Sequence, residues 1–378
     1  MPEIDPLPLA QLTTLRAGAR PARMVEVRTA DEAVDTLRSL WNEGEPWLVV
    51  GGGSNLLAGD EPFDGTVVLM RTEGIERLSS PREGFARVRV QAGHSWDDLV
   101  AYAVGEGLQG IEAMSGIPGT TGAAPVQNIG AYGQELIQTL VEVDLLDEDT
   151  GEVTTVPAGE LELGFRTSVL KAHYGSVARR HAVILSVTLE LSEVGHGELS
   201  VAGAQLRQAL GLDLSATVSL AWIRDTVLAT RARKGMVLDD ADPDTYSAGS
   251  FFQNAIVSAA FARTLPPECP RWPVSVDDDP DLVIPLGVYD GIVPPPVSRQ
   301  PDVKVSAAWL IEHAGLRKGF SLPRSRAGLS TKHALALTNR GGATAGELAE
   351  LARFIRGRVH AEFGLMLQPE PVLVGVEL

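Results

Sequence analysis

The run SGIPGTTGAAPVQNIGAYG, from Ser115 to Gly133, restricts the possible folds of this chain more than any other segment. It has too many glycines and small residues for a helix or strand interior, and Pro118 and Pro125 limit its shape. A long irregular connection of this kind is usually a binding surface. Its small residues expose successive backbone N–H groups, and such a row of donors suits a polyanionic ligand such as a dinucleotide.

The flanking segments predict layered α and β structure. Thr29 to Glu32 reads as a capping box that opens a helix ending near Gly44, and the apolar run Trp47–Val50 reads as a strand that stops at Gly51-Gly52-Gly53. Val88–Val90 alternates like a strand, and Ser95 caps a helix that ends near Gly107. Leu140–Leu146 and Ala182–Leu191 read as strands, Ala221–Lys234, Ser306–Ala314 and Thr344–Phe363 as helices, and Val372–Val376 as a short closing strand. Strand followed by helix argues for α+β or α/β layering. Pro266 to Pro301, rich in proline and carrying Asp277-Asp278-Asp279, reads as an exposed excursion.

With 378 residues the chain exceeds one ordinary core and suggests two or three domains. Its formal charge of −17 repels nucleic acid and anionic lipid at long range, while a local anion site stays possible at backbone N–H groups. Cys269 is the only cysteine, so an intrachain disulfide and a cysteine cluster for metal are both excluded. With no leader-like start and no long apolar run, the expectation is a cytoplasmic protein with neither membrane nor nucleic-acid partner. The seven histidines show no metal-ligand spacing, so no metal site is expected, and His94 is expected to cap or pack near a strand end.

Gly51-Gly52-Gly53 after a strand first suggests the dinucleotide fingerprint, but Leu56 stands at the third glycine position and LLAGDEPFDG has no helical period. A glycine turn that cradles phosphate in another manner and a plain surface turn both remain open at this point.

Five motifs narrow the choice: GGGSNLL at Gly51–Leu57, IPGTTGAAPVQNIGAYG at Ile117–Gly133, FRTS at Phe165–Ser168, GSFFQN at Gly249–Asn254 and QPEP at Gln368–Pro371. In order and approximate spacing the chain resembles the UDP-N-acetylenolpyruvoylglucosamine reductase family, and QNIGAYG looks like the family's first type. The resemblance implies an α+β protein: an FAD-binding domain of the vanillyl-alcohol-oxidase kind made of two α+β subdomains, residues 1–72 and 73–220, and an α+β substrate domain, residues 221–363. Residues 364–378 would return to the first subdomain.

It further implies noncovalent FAD held by Gly51, Gly53, Ser54, Asn55, Gly119, Thr120, Gln127, Asn128 and Gly130, with NADPH as reductant and a monomeric enzyme. The implied reaction reduces UDP-N-acetylglucosamine enolpyruvate to UDP-N-acetylmuramate, a precursor of peptidoglycan. Hydride delivery to the vinyl carbon leaves negative charge on the carbon bearing the carboxylate, which calls for a cation, a second polarising group and a proton donor. The resemblance assigns these roles to Arg166, Glu370 and Ser250, and assigns the UDP portion to Lys234 and Asn254. Without the motifs, Arg166 would read as a surface ion pair, Glu370 as an ordinary acid before an end strand and Ser250 as a turn residue.

There are two departures from the family pattern. The expected substrate-clamping tyrosine is missing from LSVAGAQL, where Ala202 stands, and the stretch between Pro266 and Val303 is long. A flavin oxidase of the same fold would need a base rather than an acid, and a nonenzymatic UDP-sugar-binding protein would not need Arg166, Ser250 and Glu370 together.

Overall fold

The computed structural model describes residues 3–172, 177–274 and 302–378. Three hydrophobic cores organise them. The first lies beneath a small parallel sheet of Arg23–Val27, Thr66–Met70 and Trp47–Val50, with Thr66–Met70 in the middle and buried at every position. A strand covered on both faces reads as a continuous apolar run, and VVLM after Thr66 is one. The helix Ala30–Glu43 crosses between its outer strands. Thr29 Oγ1 accepts from Glu32 N at 3.1 Å, the Glu32 carboxylate accepts from Thr29 N, and Gly44 closes the helix at φ 67°.

The second and largest core belongs to an antiparallel sheet in which Ala182–Glu193 pairs with Leu140–Asp147 on one side and Phe85–Gln91 on the other. The helix Trp96–Gly105, capped by Ser95, buries Trp96, Leu99, Val100 and Ala103 in that core. The helix Leu220–Arg233, which opens the expected substrate domain, buries Leu220, Ile223 and Val227 in this second core, not in the third. Leu206 and Leu210 of the preceding helix Ala204–Leu210 join the same core, so the pair docks as a unit.

The third core gathers Phe251, Phe252, Leu310, Ile311, Leu348, Leu351, Ile355 and Val359 around the helix Ala345–Phe363, which opens on the Thr344–Glu347 capping box. Asp60 reaches across from the first unit, its carboxylate accepting from Ala345 N and Gly346 N at 2.8 Å each. Leu15, Ala17 and Leu57 also enter this core, and Val372–Val374 pairs in parallel with Leu56–Ala58. The chain's end thereby stitches the third unit to the glycine turn.

The root of the expected exposed excursion is largely exposed, at Pro267, Glu268, Pro270, Trp272 and Pro273, but it is anchored by one buried side chain and one strand. Cys269 is 1% accessible, and Arg271–Pro273 pairs with Val303–Val305; residues 275–301, with the acidic run, lie outside the described residues. No described helix is long and apolar enough to cross a membrane.

Candidate active site

A cavity of about 330 Å3, within the usual range for ligand pockets, opens where the three units meet. One wall is backbone. A Cβ on Gly51 would sit 2.1 Å from Thr120 Oγ1, and one on Gly52 would sit 2.6 Å from Gly119 Cα, so the two glycine-rich loops touch main chain to main chain. Gly53 is required twice over: its φ is +59°, and a Cβ there would lie 1.9 Å from the Leu12 carbonyl oxygen. Ser54 Oγ donates to Pro118 O at 2.8 Å and locks the loops together.

Among the described residues, the backbone N–H groups of Gly52, Gly53, Ser54, Asn55, Gly119 and Thr120 have no intramolecular partner, and all six residues line the cavity. Donors left in this way at a concave surface attract an anion, and the pyrophosphate of FAD matches them in charge and extent. The residues present fit the cofactor.

Where the backbone wall meets the rest, side chains from distant segments converge. Asn55 Nδ2 donates to Gln127 Oε1 at 2.7 Å and to the Glu370 main-chain oxygen at 3.3 Å. Lys171 Nζ donates to the same two acceptors at 2.8 and 2.9 Å. Burial lowers the Lys171 ammonium to about 8; the Glu370 carboxylate opposes that shift and Arg166 adds to it. The lysine thus ties the FRTS segment to both the long loop and the returning C-terminal segment.

Arg166 adopts φ +56°, an uncommon conformation for a residue with a side chain. Its Nε lies 3.0 Å from Glu370 Oε1, while Nη1 and Nη2 donate to Asn128 O and Gly130 O at 3.1 and 2.9 Å. The guanidinium is therefore partly engaged. Two of its five N–H donors are hydrogen-bonded to the long loop, a third faces Glu370 within the ion pair, and two are left. Glu370, assigned as the second polarising group, is thereby ion-paired with Arg166.

Ser250 enters the cavity lining because its neighbours are pinned. Phe251 N donates to Leu335 O and Glu370 N to Phe251 O, both at 2.8 Å, and Phe252 bridges to Pro369. Phe251 and Phe252, fully buried with centroids 5.2 Å apart, anchor this segment in the third core. Arg166, Ser250 and Glu370 thus line one cavity, together with Gly51, Gly53, Ser54, Asn55, Gly119, Thr120, Gln127 and Gly130.

Three expected residues stand elsewhere. Asn128 is 1% accessible at φ +45°; its amide donates to Glu135 and to Gly164 O, and its oxygen accepts from Ile137 N, so it shapes the loop from behind. Asn254 Oδ1 accepts from Ala307 N at 3.0 Å, at the start of the helix Ala307–His313. Lys234 is exposed just past the helix Leu220–Arg233, with Nζ 5.7 Å from the centre of the Tyr132 ring. Ala202 is exposed, so the tyrosine brought beside Lys234 is Tyr132 of QNIGAYG.

Three lining or neighbouring groups carried no expectation. Lys171 follows Arg166 in FRTSVLK, where a lone charge after the apolar Val169 and Leu170 was the signal available. Arg231, 7% accessible, lines the cavity with its Nε unpartnered. His333 Nε2 lies 3.4 Å from Ser250 Oγ, and nothing local marks it. His94 packs with both ring nitrogens buried and without partners.

A model of FAD-binding domains matches residues 21–157, and one described as the C-terminal domain of UDP-N-acetylenolpyruvoylglucosamine reductase matches residues 242–374. UDP-N-acetylenolpyruvoylglucosamine reductase of Leifsonia xyli is 52% identical over 99% of this chain and 100% of its own length. That of Thermobifida fusca is 44% identical over 98% of each chain. The crystal structure of the Thermus caldophilus enzyme, 24% identical, superposes with a TM-score of 0.60 over 98% of each chain and shares the fold. The architecture is α+β, with an FAD-binding domain of the vanillyl-alcohol-oxidase kind followed by a further α+β unit. Similar to these relatives over nearly its whole length, the chain belongs to the UDP-N-acetylenolpyruvoylglucosamine reductase family of FAD-dependent oxidoreductases.

Proposed function

We propose that the chain reduces UDP-N-acetylglucosamine enolpyruvate to UDP-N-acetylmuramate, using noncovalent FAD and NADPH, as a cytoplasmic step of peptidoglycan precursor synthesis. One observation carries this reading: the Arg166–Glu370 pair and Ser250 line the same cavity as a row of unpartnered backbone N–H groups. Noncovalent binding is supported by Ser54 and Asn55 at the glycine turn and by Cys269, which is buried in the third core and does not line the cavity.

When bound, FAD supplies a hydride at ring nitrogen N5, taken beforehand from NADPH. The substrate's terminal vinyl carbon accepts it, and negative charge gathers on the carbon bearing the carboxylate. Arg166 offers its two remaining N–H donors to that carboxylate, and its contact with Glu370 sets the orientation of the pair. Ser250 gives its hydroxyl proton to the charged carbon. A serine hydroxyl is a weak acid, so this step requires a strongly basic carbon and close approach. Lys234 and Tyr132, beside each other outside the cavity lining, suit the UDP diphosphate; Asn254 does so less, since its amide oxygen already serves Ala307 N.

A visible spectrum and an anaerobic titration test the reading. The purified protein should be yellow, NADPH should bleach it, and the enolpyruvyl sugar nucleotide should restore the colour. Bleaching by an alcohol or sugar but not by NADPH would instead identify an oxidase, and a colourless protein that takes up no FAD would remove the redox chemistry altogether.

A further inference from the structure

A serine acting as a proton donor has two needs that Ser250 cannot meet alone: its hydrogen must point at the substrate, and the oxyanion left behind must be stabilised. The one side-chain contact described for Ser250 is His333 Nε2, 3.4 Å from Oγ. Catalytic hydrogen bonds are often this long before substrate draws them in. His333 sits in the turn between the strands Ala327–Leu329 and Leu337–Asn339, its N–H on Ser330 Oγ at 3.2 Å and its carbonyl accepting from Ala336 N at 3.2 Å. Leu335 of the same turn accepts from Phe251 N, so the histidine and the serine are held in register by main chain.

We propose that His333, as the neutral ring protonated on Nε2, donates to Ser250 Oγ, turns the hydroxyl hydrogen toward the substrate and then stabilises the alkoxide. This inference rests on the proton-donor role of Ser250 proposed above. In the step, the Ser250 O–H bond breaks and a C–H bond forms at the carbon bearing the carboxylate; that carbon's electron pair takes the proton. The negative charge passes to Oγ, and water at the cavity mouth later returns a proton.

The opposite tautomer would accept from the hydroxyl and point its hydrogen away from the substrate. Burial, with Lys234, Lys318 and Arg231 nearby, drops the His333 ring to about 4, so it is neutral at working pH and cannot compete as a stronger acid. Those cations also favour an anion beside the ring. Burial is the larger cause of the His333 shift and disfavours any charge there, while the cations that add to that shift offset the cost of the Ser250 alkoxide.

His333 is thus a positioning residue, tested by separating the half-reactions in a stopped-flow instrument. His333→Ala should leave flavin reduction by NADPH within about twofold and slow reoxidation by the enolpyruvyl sugar nucleotide roughly 100-fold. His333→Gln, whose amide can still donate, should recover most of that loss. Adding His333→Ala to Ser250→Ala should slow reoxidation no further, because the pair acts as a unit. Nitrogen-15 spectra of the ring should report the Nε2–H tautomer at neutral pH.

Unchanged reoxidation in His333→Ala, equal losses in both half-reactions, no recovery by glutamine, multiplied losses in the double variant or a ring protonated on Nδ1 alone would each overturn the assignment. Fast reoxidation in Ser250→Ala would instead strike at the proton-donor role itself.

Discussion

The two walls of the cavity are built on different principles. The wall formed by Gly51–Asn55 and the long loop presents main chain, is made by excluding side chains, and offers directed N–H groups that no substitution of functional groups could supply. The wall formed by Ser250, Glu370, Arg166 and Lys171 presents side chains whose positions depend on contacts between segments far apart in sequence. The first wall is sensitive to added atoms and the second to removed ones, so substitutions that do one or the other can separate them.

The largest effect is expected at Gly53. Gly53→Ala adds a Cβ 1.9 Å from the Leu12 carbonyl oxygen at φ +59°, so the glycine turn cannot keep its place against the Leu12–Thr13 segment and the purified protein should lose its bound FAD. Gly44→Ala is the control: its φ of +67° is similar but no atom lies within 4 Å of the added methyl, so it should cost only about 1 kcal/mol in denaturant unfolding and leave the flavin in place. Equal flavin content in the two variants would erase the distinction between the walls.

On the other wall, Arg166→Lys keeps the charge but gives up the donors to Asn128 O and Gly130 O. Reoxidation by substrate should slow by roughly 10- to 100-fold, about 1.4–3 kcal/mol of barrier, with reduction by NADPH less affected. Normal turnover would show that Arg166 only braces the loop.

Lys171 gives a prediction in pH. Its ammonium, at about 8 in the folded protein against an ordinary 10.5, holds fewer protons folded than unfolded between those values. Stability must therefore rise as pH climbs from about 8 to 10.5, and the charge's burial cost, about 3 kcal/mol, is present in full below pH 8. Chemical unfolding of wild type and Lys171→Met across pH 7–10 should show that rise in the wild type only. Parallel curves would mean that the ammonium is solvated.

The smallest effect is expected at Asn254. Its oxygen caps Ala307 N, so Asn254→Ala should lower stability by about 1 kcal/mol and scarcely change KM. A large KM effect with unchanged stability would return Asn254 to the substrate side.

Much of this was legible because it is local. Thr29 with Glu32 and Thr344 with Glu347 form the capping boxes that their spacing predicts, and the apolar run Ala182–Leu191 is the central strand of the larger sheet. The glycine turn and the long loop were recognisable because glycine and proline state backbone geometry directly. The placement of the Asn128 side chain was not legible for the opposite reason. Its motif marks the loop, but whether an amide faces a ligand or the loop's own backbone depends on what folds over it, and here Gly164 and Glu135 do. The core that takes the helix Leu220–Arg233 was not legible, because helical periodicity reports that a helix has an apolar face, not which core receives it.

By itself, the sequence determined the order of strands and helices, the bare backbone of the two loops and the residue types available for proton transfer, since each follows from interactions within a few neighbouring residues. Tertiary structure alone decided that Lys171 would grip the main chain of Glu370, that Arg166 would divide its donors among three partners, and that His333 would stand beside Ser250. Those contacts join segments dozens to hundreds of residues apart. Their energies exist only once the cores have closed, and no local pattern can record which distant partner a side chain will meet.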